Sequence, residues 1–482
     1  MHILDINDDV LLYTATQSLT RTDRSLLSRT CHRFHHLLSP TLLRKSVWLH
    51  ESNLASFASF VQAGYLRDAA FCRPLRSIDF NILPLSLPRE EAILLLSRIL
   101  QCTHHLIKLV LHRIVHTFTP ECLRNILAAV PTVQELTLRD LDHEYSHVLA
   151  DACPELKTIV LELVADEMSR KIHRHSPVDP RPFLQSHSLN ITKLVLSQIS
   201  LHASGTPFPG VVDLYITDYG ASDADSGLTG PLVHLFPNVE RARLMSLQTS
   251  FGTITPSLLH SNSLQDANAL RRASMRWQAT HGTWAKGLHL LEIGSLVDLY
   301  CLGLRCHIAR VNIWMAFDPI GIAKTALADV RPRCLQFPVS GLREMPKIVP
   351  HLLVAISQTR SLDRLIVDVS ITFPRQALLP SLLSQLGDSL RGTCITHLLV
   401  HVDAYTHLGE YFPHPPTECQ SGIDALLVLT DGNRALHRVF LDFKGHYLRT
   451  WERNMANGAG DLWEEVPESS ARRILVAEDM LL

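Results

Sequence analysis

Residues Glu121–Leu161 read ECLRNILAAVPTVQELTLRDLDHEYSHVLADACPELKTIVL. Leu123, Ile126, Leu127 and Val130 fall at i, i+3, i+4 and i+7, one apolar face of a helix. Pro131 follows, and then Val133, Leu136 and Leu138 stand in the frame L-x-x-L-x-L, which has the period of a short strand. Further on, Tyr145, Val148, Leu149 and Ala152 predict a second helix face, and Leu156, Ile159 and Leu161 repeat the strand frame after Pro154. A helix that ends at a proline and feeds a strand, met twice in succession, is a repeating unit. Neither copy can bury its apolar face alone, so such units must stack.

The frame recurs along the chain. In order it is LRSIDF (from Leu75), LIKLVL (Leu106), VQELTL (Val133), LKTIVL (Leu156), ITKLVL (Ile191), VVDLYI (Val211) and VERARL (Val239). LHLLEI (Leu288), IARVNI (Ile308), PRCLQF (Pro332), LDRLIV (Leu362), ITHLLV (Ile395) and LHRVFL (Leu436) follow. An apolar hit at three fixed offsets is cheap once in a chain that is 46% hydrophobic, but not thirteen times, mostly behind a helix-like run. A doubly wound α/β sheet would also give buried strands, but without the x-x between the first two apolar positions. The frame is the leucine-rich-repeat signature, so the expected fold is α/β, an irregular leucine-rich-repeat solenoid (horseshoe) of about thirteen units.

The 482 residues carry 45 basic and 47 acidic side chains, a net charge of −2. Such a balance gives no general attraction to nucleic acid or to an anionic membrane. Ten cysteines stand singly with no C-x-x-C, several inside apolar patterns (Cys122, Cys153, Cys394). Met1–Leu12 carries three aspartates and no basic run, and no apolar stretch approaches the length of a membrane span. The expectation is a protein of the cytoplasm or nucleus with reduced thiols.

Residues 1–50 stand apart from the repeats. Asn7 or Asp8 can cap a first helix with Val10, Leu11 and Leu19 on its apolar side. A second helix is expected from Asp23 to about Leu38, ended by Ser39-Pro40, with Leu42 and Leu43 opening a third. Ile6-Asn7-Asp8-Asp9-Val10-Leu11, Leu27-Ser28-Arg29-Thr30-Cys31-His32-Arg33-Phe34 and Ser39–Lys45 together resemble an F-box. The version here is most similar to F-box proteins with leucine-rich repeats from basidiomycete fungi. Asn7 stands where that family has proline, Thr14 replaces a usual isoleucine, and Arg24-Ser25 replace two leucines. The resemblance implies an N-terminal three-helix module whose Ile6, Val10, Leu11, Leu26 and Leu27 meet a Skp-family adaptor and, through it, a cullin scaffold.

The expected organisation is therefore an F-box-like domain over 1–50, a helical linker over 51–74, the solenoid over 75–446 and a C-terminal helical cap over 447–482. Successive frames are 31, 27, 23, 35 and 20 residues apart at first, so loop insertions are expected, notably 165–190 and 246–287. No phosphate-binding glycine loop, nucleophile elbow or H-E-x-x-H occurs. His397 and His401, with Asp403 and His407, are the best metal-like set but are too far apart along a strand to hold one ion. The basic run Arg271, Arg272 and Arg276 reads as an exposed helix face. No cofactor or metal is expected, and no enzymatic activity.

The third, fifth and seventh positions of each frame should face the inner side of the solenoid. There the later frames place Arg241, Arg243, Arg310, Trp314 and Arg364, arginines with aromatic neighbours, the composition of binding hot spots. The resemblance implies the substrate-recognition subunit of an SCF-type ubiquitin ligase, with this patch holding a target protein that has an acidic or phosphorylated segment. Asp368 and Asp442 are potential internal partners for these arginines. The alternative is a repeat scaffold that no longer engages the adaptor.

Overall fold

The computed structural model describes residues 7–28, 30, 32–82, 87–149, 152–163, 178–221, 225–249, 252–253, 261–315, 322–340, 352, 354–372, 378–405, 433–443, 447–454, 462–478 and 480. They form a mixed α/β structure in which all thirteen frames are strands. The chain divides into two compact units, Met1–Ser200 with Thr206–Val211 and Leu201–Gly205 with Val212–Leu482. Among the described residues no helix is long and apolar enough to cross a membrane.

The first unit begins with helices Asp8–Ser18, Arg21–Ser28 and His32–Arg44. Its strands are β1 (Val47–Leu49), β2 (Ser77–Phe80), β3 (Lys108–Leu111), β4 (Glu135–Leu141), β5 (Thr158–Leu163) and β6 (Lys193–Leu201). Each pairs in parallel with the next. The second apolar position of each frame aligns as a column, Ile78, Leu109, Leu136, Ile159 and Leu194, and the third as Phe80, Leu111, Leu138, Leu161 and Leu196. Every one of these side chains is buried. Burying each contributes about 1.5–3 kcal/mol, and a slip of one residue would expose the whole set, so the frame itself locks the register.

The second unit repeats the plan. Its strands are β7 (Asp213–Ala221), β8 (Arg241–Thr249), β9 (Gly252–Thr253), β10 (Leu288–Ser295), β11 (Ile308–Met315), β12 (Cys334–Ser340), β13 (Arg364–Thr372), β14 (His397–Tyr405) and β15 (Arg438–Phe443). β8 pairs with β7 and β10, and the order then runs in sequence to β15, all parallel; β9 is a short antiparallel hairpin partner of β8. Among the described residues neither unit has the strand-order reversal of a doubly wound sheet.

One device in these frames escaped the sequence reading. Among the described residues, Arg113, Asp140, Gln198 and Asp218 have φ between 53° and 58°, the left-handed region. Each is the eighth residue of its frame, counted from Leu106, Val133, Ile191 and Val211. A left-handed residue interrupts the alternation of a strand, so the ninth side chain turns back into the core. The ninth residues, Ile114, Leu141, Ile199 and Tyr219, are all buried, and the β4–β5 register shifts between Arg139 and Leu141.

Several boundaries differ from expectation. The predicted helix Asp23–Leu38 is two helices, and the later one runs through Pro40 to Arg44. An interior proline costs about 3 kcal/mol, but Leu38 and Leu43 on either side are buried and hold the helix together. The predicted helix at Tyr145–Ala152 is a 3-10 turn, His143–Tyr145, that continues as turns. Its apolar set is buried all the same, with the Tyr145 hydroxyl donating to the Phe118 carbonyl at 2.7 Å. The segment 1–50 ends in a strand, β1, directly ahead of the linker helix Glu51–Arg67. The tail is not helical throughout: β16 (Tyr447–Asn454) and β17 (Leu462–Val466) add antiparallel strands to β15, and among its described residues the helix is Glu468–Ala477. The alternation Arg449, Trp451, Arg453 has period two, and Arg449 and Arg453 stack on Trp451 and Trp463 at 4.9 and 5.0 Å. Of the two expected insertions, 165–190 and 246–287, residues 165–177, 250–251 and 254–260 lie outside the described residues; the first otherwise contains the short helix Arg181–Leu184, and the second the end of β8, β9 and the helix Ser261–His281.

Candidate functional site

The fifth position of the frames in the second unit makes one row across the sheet. In register it runs Tyr215, Arg243, Glu292, Asn312, Gln336, Ile366, Leu399, Phe440. Its first half is polar and its second half apolar.

In the polar half, Asp213 accepts from Arg241, with Nη2 at 2.6 Å from Oδ2. Arg243 is paired with the carboxylate of Glu292, and its guanidinium lies 5.0 Å from the Tyr215 ring and 5.9 Å from Trp314. Trp314 remains 51% exposed and Arg241 is exposed, whereas Glu292 is buried. The result is an arginine held by a buried carboxylate between two aromatic rings, open to solvent at Trp314. An aromatic surface braced in this way loses little side-chain entropy when a partner lands on it. Glu292 was missed in the sequence, although the same position rule applied to the Leu288 frame identifies it, and Gln336 in the Pro332 frame likewise.

Two of the five expected contact residues do not belong to an open patch. Arg310 is 3% exposed; it donates to Asn312 Oδ1 at 3.0 Å and to Gln336 Oε1 at 2.7 Å, and Gln336 passes on to Asp368 Oδ2 at 2.7 Å. It is a buried strut in a polar ladder. Arg364 donates to Glu478 Oε2 at 2.7 Å, just beyond the C-terminal helix. That helix lies over the apolar half of the row, where Ala471, Leu475 and Met480 pack with Cys334, Ile366, Leu399, Phe440 and Leu448. The apolar fifth positions are therefore core, not a docking surface, and Arg364 with Arg438, 3.8 Å from Glu478, clamps the cover. The expected neutralising partners are also different. Asp442 binds His401 Nδ1 at 2.9 Å, while Asp213, Glu292 and Glu478 hold the arginines.

Burial pushes the Cys72 thiol up to about 12 and the Cys153 and Cys306 thiols up to about 11. His397 is pulled below the ordinary histidine value, first by burial and then by Arg438 and Arg364, against the opposing pull of Glu478. Among the described residues no three His, Cys, Asp or Glu side chains converge on a metal position. His407 lies outside the described residues.

At the N-terminus, Asn7 accepts from the Asp9 amide at 2.7 Å and caps the first helix, and Arg33 ties Asp8 to the third. Leu11, Ala15, Phe34 and Leu38 form a small core, with Leu12, Leu19, Leu27 and Leu37 packed against it. Of the expected adaptor contacts, Leu11 and Leu27 thus belong to that core, and Leu26 is 58% exposed; Tyr13 on the first helix is exposed as well, at 68%. Ile6 and the Val10 side chain lie outside the described residues. A cleft of about 860 Å³ opens between these helices, β1 and the helix Glu51–Arg67, lined by Leu43, Trp48, Asn53 and Phe57.

Comparison with protein-family models and with curated proteins finds no match.

Proposed function

We propose that the chain is the substrate-recognition subunit of an SCF-type ubiquitin ligase, with an F-box-like N-terminal module and a leucine-rich-repeat solenoid behind it. The observation that carries the reading is the pairing of two features. Three short helices with exposed Leu26 and Tyr13 precede parallel, in-register L-x-x-L-x-L strands whose inner row exposes an arginine between aromatic rings. On this reading Leu26 and Tyr13 meet a Skp-family adaptor that recruits a cullin, and Tyr215, Arg241, Arg243 and Trp314 hold the target. The protein does no covalent chemistry; it raises the local concentration of target beside a conjugating enzyme. Because Arg241 and Arg243 already hold carboxylates, the target contributes an apolar or aromatic anchor at Trp314 rather than an acidic run.

A second reading, a repeat scaffold without an adaptor, draws on the core positions of Leu11 and Leu27 and on the exposed polar Thr14, Gln17 and Ser18 beside them. Affinity purification with Leu26→Asp separates the two. Wild type should carry adaptor and cullin, and the variant should lose both while keeping its other partners. Trp314→Ala should do the converse, keeping the adaptor and losing proximity-labelled targets. A wild-type chain that carries no adaptor replaces the ligase reading with the scaffold.

A further inference from the structure

The helix Ser261–His281 packs against the helices Thr229–Leu235 and Leu296–Leu302 of the second unit and holds the turns beside them through small and polar contacts. Ser274 Oγ accepts from the Leu228 amide at 3.1 Å. The buried Gln278 holds the turn after helix Leu296–Leu302 from both ends, donating to the Gly303 carbonyl at 2.9 Å and accepting from the Arg305 amide at 3.0 Å. Gly303 has φ +51°, and a Cβ there would meet Met275 Cγ at 2.9 Å, so glycine lets the turn close on the helix. Arg305 is thereby fixed beside the outer face of the helix.

That arrangement builds a cationic groove from three separate segments. One stretch, about 550 Å³, is lined by Ala269, Arg272, Met275, Arg276, Ala279 and Arg305. The next, about 460 Å³, shares Met275 and Arg305 and adds His307, Asp329 and Arg331 among its walls. The small side chains of Ala269 and Ala279 leave the floor low, and Arg272 and Arg276 stand one helical turn, roughly 6 Å, apart. Arg272, Arg276, Arg305 and Arg331 are exposed, and among the described residues none has an acidic partner; Arg272 reaches only the Asn268 carbonyl of its own helix. Asp329, the acid among the described groove residues, is already paired with Arg271, whose guanidinium lies 4.7 Å from the Tyr300 ring. This differs from the inner face of the sheet, where Arg241, Arg243, Arg364 and Arg438 each hold a carboxylate.

We propose that this groove binds a glutamate- and aspartate-rich segment of a partner protein. Four unpaired guanidiniums spread along two adjoining hollows match carboxylates spread along an extended chain better than a single compact phosphate. A chain with a net charge of −2 has no general field to draw a nucleic acid backbone, so the attraction is local to the groove. The proposal is independent of the ligase reading.

The test uses the full-length protein and a fluorescein-labelled oligo-glutamate peptide followed by anisotropy. Wild type should bind, and binding should weaken as salt rises. Arg272→Gln, Arg276→Gln and Arg305→Gln together should lower affinity by about tenfold or more, with an unchanged melting temperature because these exposed side chains hold nothing up. The matched control, Arg98→Gln, Arg124→Gln and Arg434→Gln, should retain affinity. No binding by wild type, or equal losses in the two triple variants, overturns the proposal. Tighter, groove-dependent binding of an oligonucleotide of equal charge overturns it in favour of nucleic acid, and tighter binding of a neutral peptide with one phosphoserine overturns it in favour of a phosphate site.

Discussion

The two halves of one row in the second unit answer the same sequence position in opposite ways. At the fifth position of its frame, β8 has Arg243, β10 has Glu292 and β11 has Asn312, while β13, β14 and β15 have Ile366, Leu399 and Phe440. The polar stretch keeps an exposed Trp314 beside it; the apolar stretch is roofed by the C-terminal helix. The fifth position of the frame does not by itself make a binding surface. A run of apolar residues where neighbouring frames carry polar ones is the mark of a covered face, because an exposed patch of that kind would be an aggregation liability.

The sharpest way to break the comparison is to remove the roof. Deleting everything after Val466 strips Ala471, Leu475 and Met480 from Ile366, Leu399 and Phe440. At about 1.5–3 kcal/mol for each large apolar side chain returned to water, urea unfolding should show a loss on the order of 5 kcal/mol, with aggregation. An unchanged midpoint would mean the helix is not part of the core. Next in size, Arg243→Ala leaves the buried Glu292 carboxylate without its cation, which should destabilise by about 3 kcal/mol. Adding Glu292→Gln should recover most of that loss; if the double variant is no more stable than the single, the pair is not the cause. The clamp is weaker: Glu478→Gln removes the charge that Arg364 holds at 2.7 Å and should lower stability by about 1–2 kcal/mol, mainly by loosening the helix, as amide exchange over Glu468–Ala477 would report.

The smallest effect is a pH dependence at the same clamp. Burial holds His397 below 6.5, its ordinary value. Above 6.5 the ring is neutral in both folded and unfolded chains and its contribution is fully present. As pH falls through 6.5 the unfolded chain takes up the proton first, so stability declines until the folded ring is protonated too. His397→Leu removes this slope, and the variant should therefore gain on wild type as the medium is acidified past 6.5. A stability difference that stays constant with pH would show that His397 is not responsible.

Much of this was legible in the chain. Thirteen frames became thirteen strands because an apolar set at fixed spacing can be buried in only one register. The cap at Asn7 was legible because a side-chain acceptor before an acidic first turn satisfies an orphan amide. What failed were decisions that depend on contacts far along the chain. Nothing local to Arg364 announces Glu478, and nothing local to Arg310 announces Gln336. Pro40 reads locally as a stop, but the burial of Leu38 and Leu43 overrides it. Arg272 and Arg276 read as an ordinary exposed face until a turn pinned by Gln278 brings Arg305 beside them.

The left-handed residue at the eighth position has a consequence for how such a chain accommodates change. By turning the ninth side chain back into the core at Ile114, Leu141, Ile199 and Tyr219, it closes those four strands on their own terms, before the connection to the next begins. Whatever follows is free of the phase of what came before. Connections after these frames can then differ, with 27, 23 and 20 residues from the frames at Leu106, Val133 and Ile191 to the next, without disturbing a single apolar column. A sequence of this kind is strict about phase within nine residues and permissive about length outside them. A short peptide inserted between Ser204 and Gly205, in the exposed stretch after β6, is accordingly expected to leave both units folded, whereas one extra residue between Leu194 and Leu196 would unseat everything that β6 holds in register.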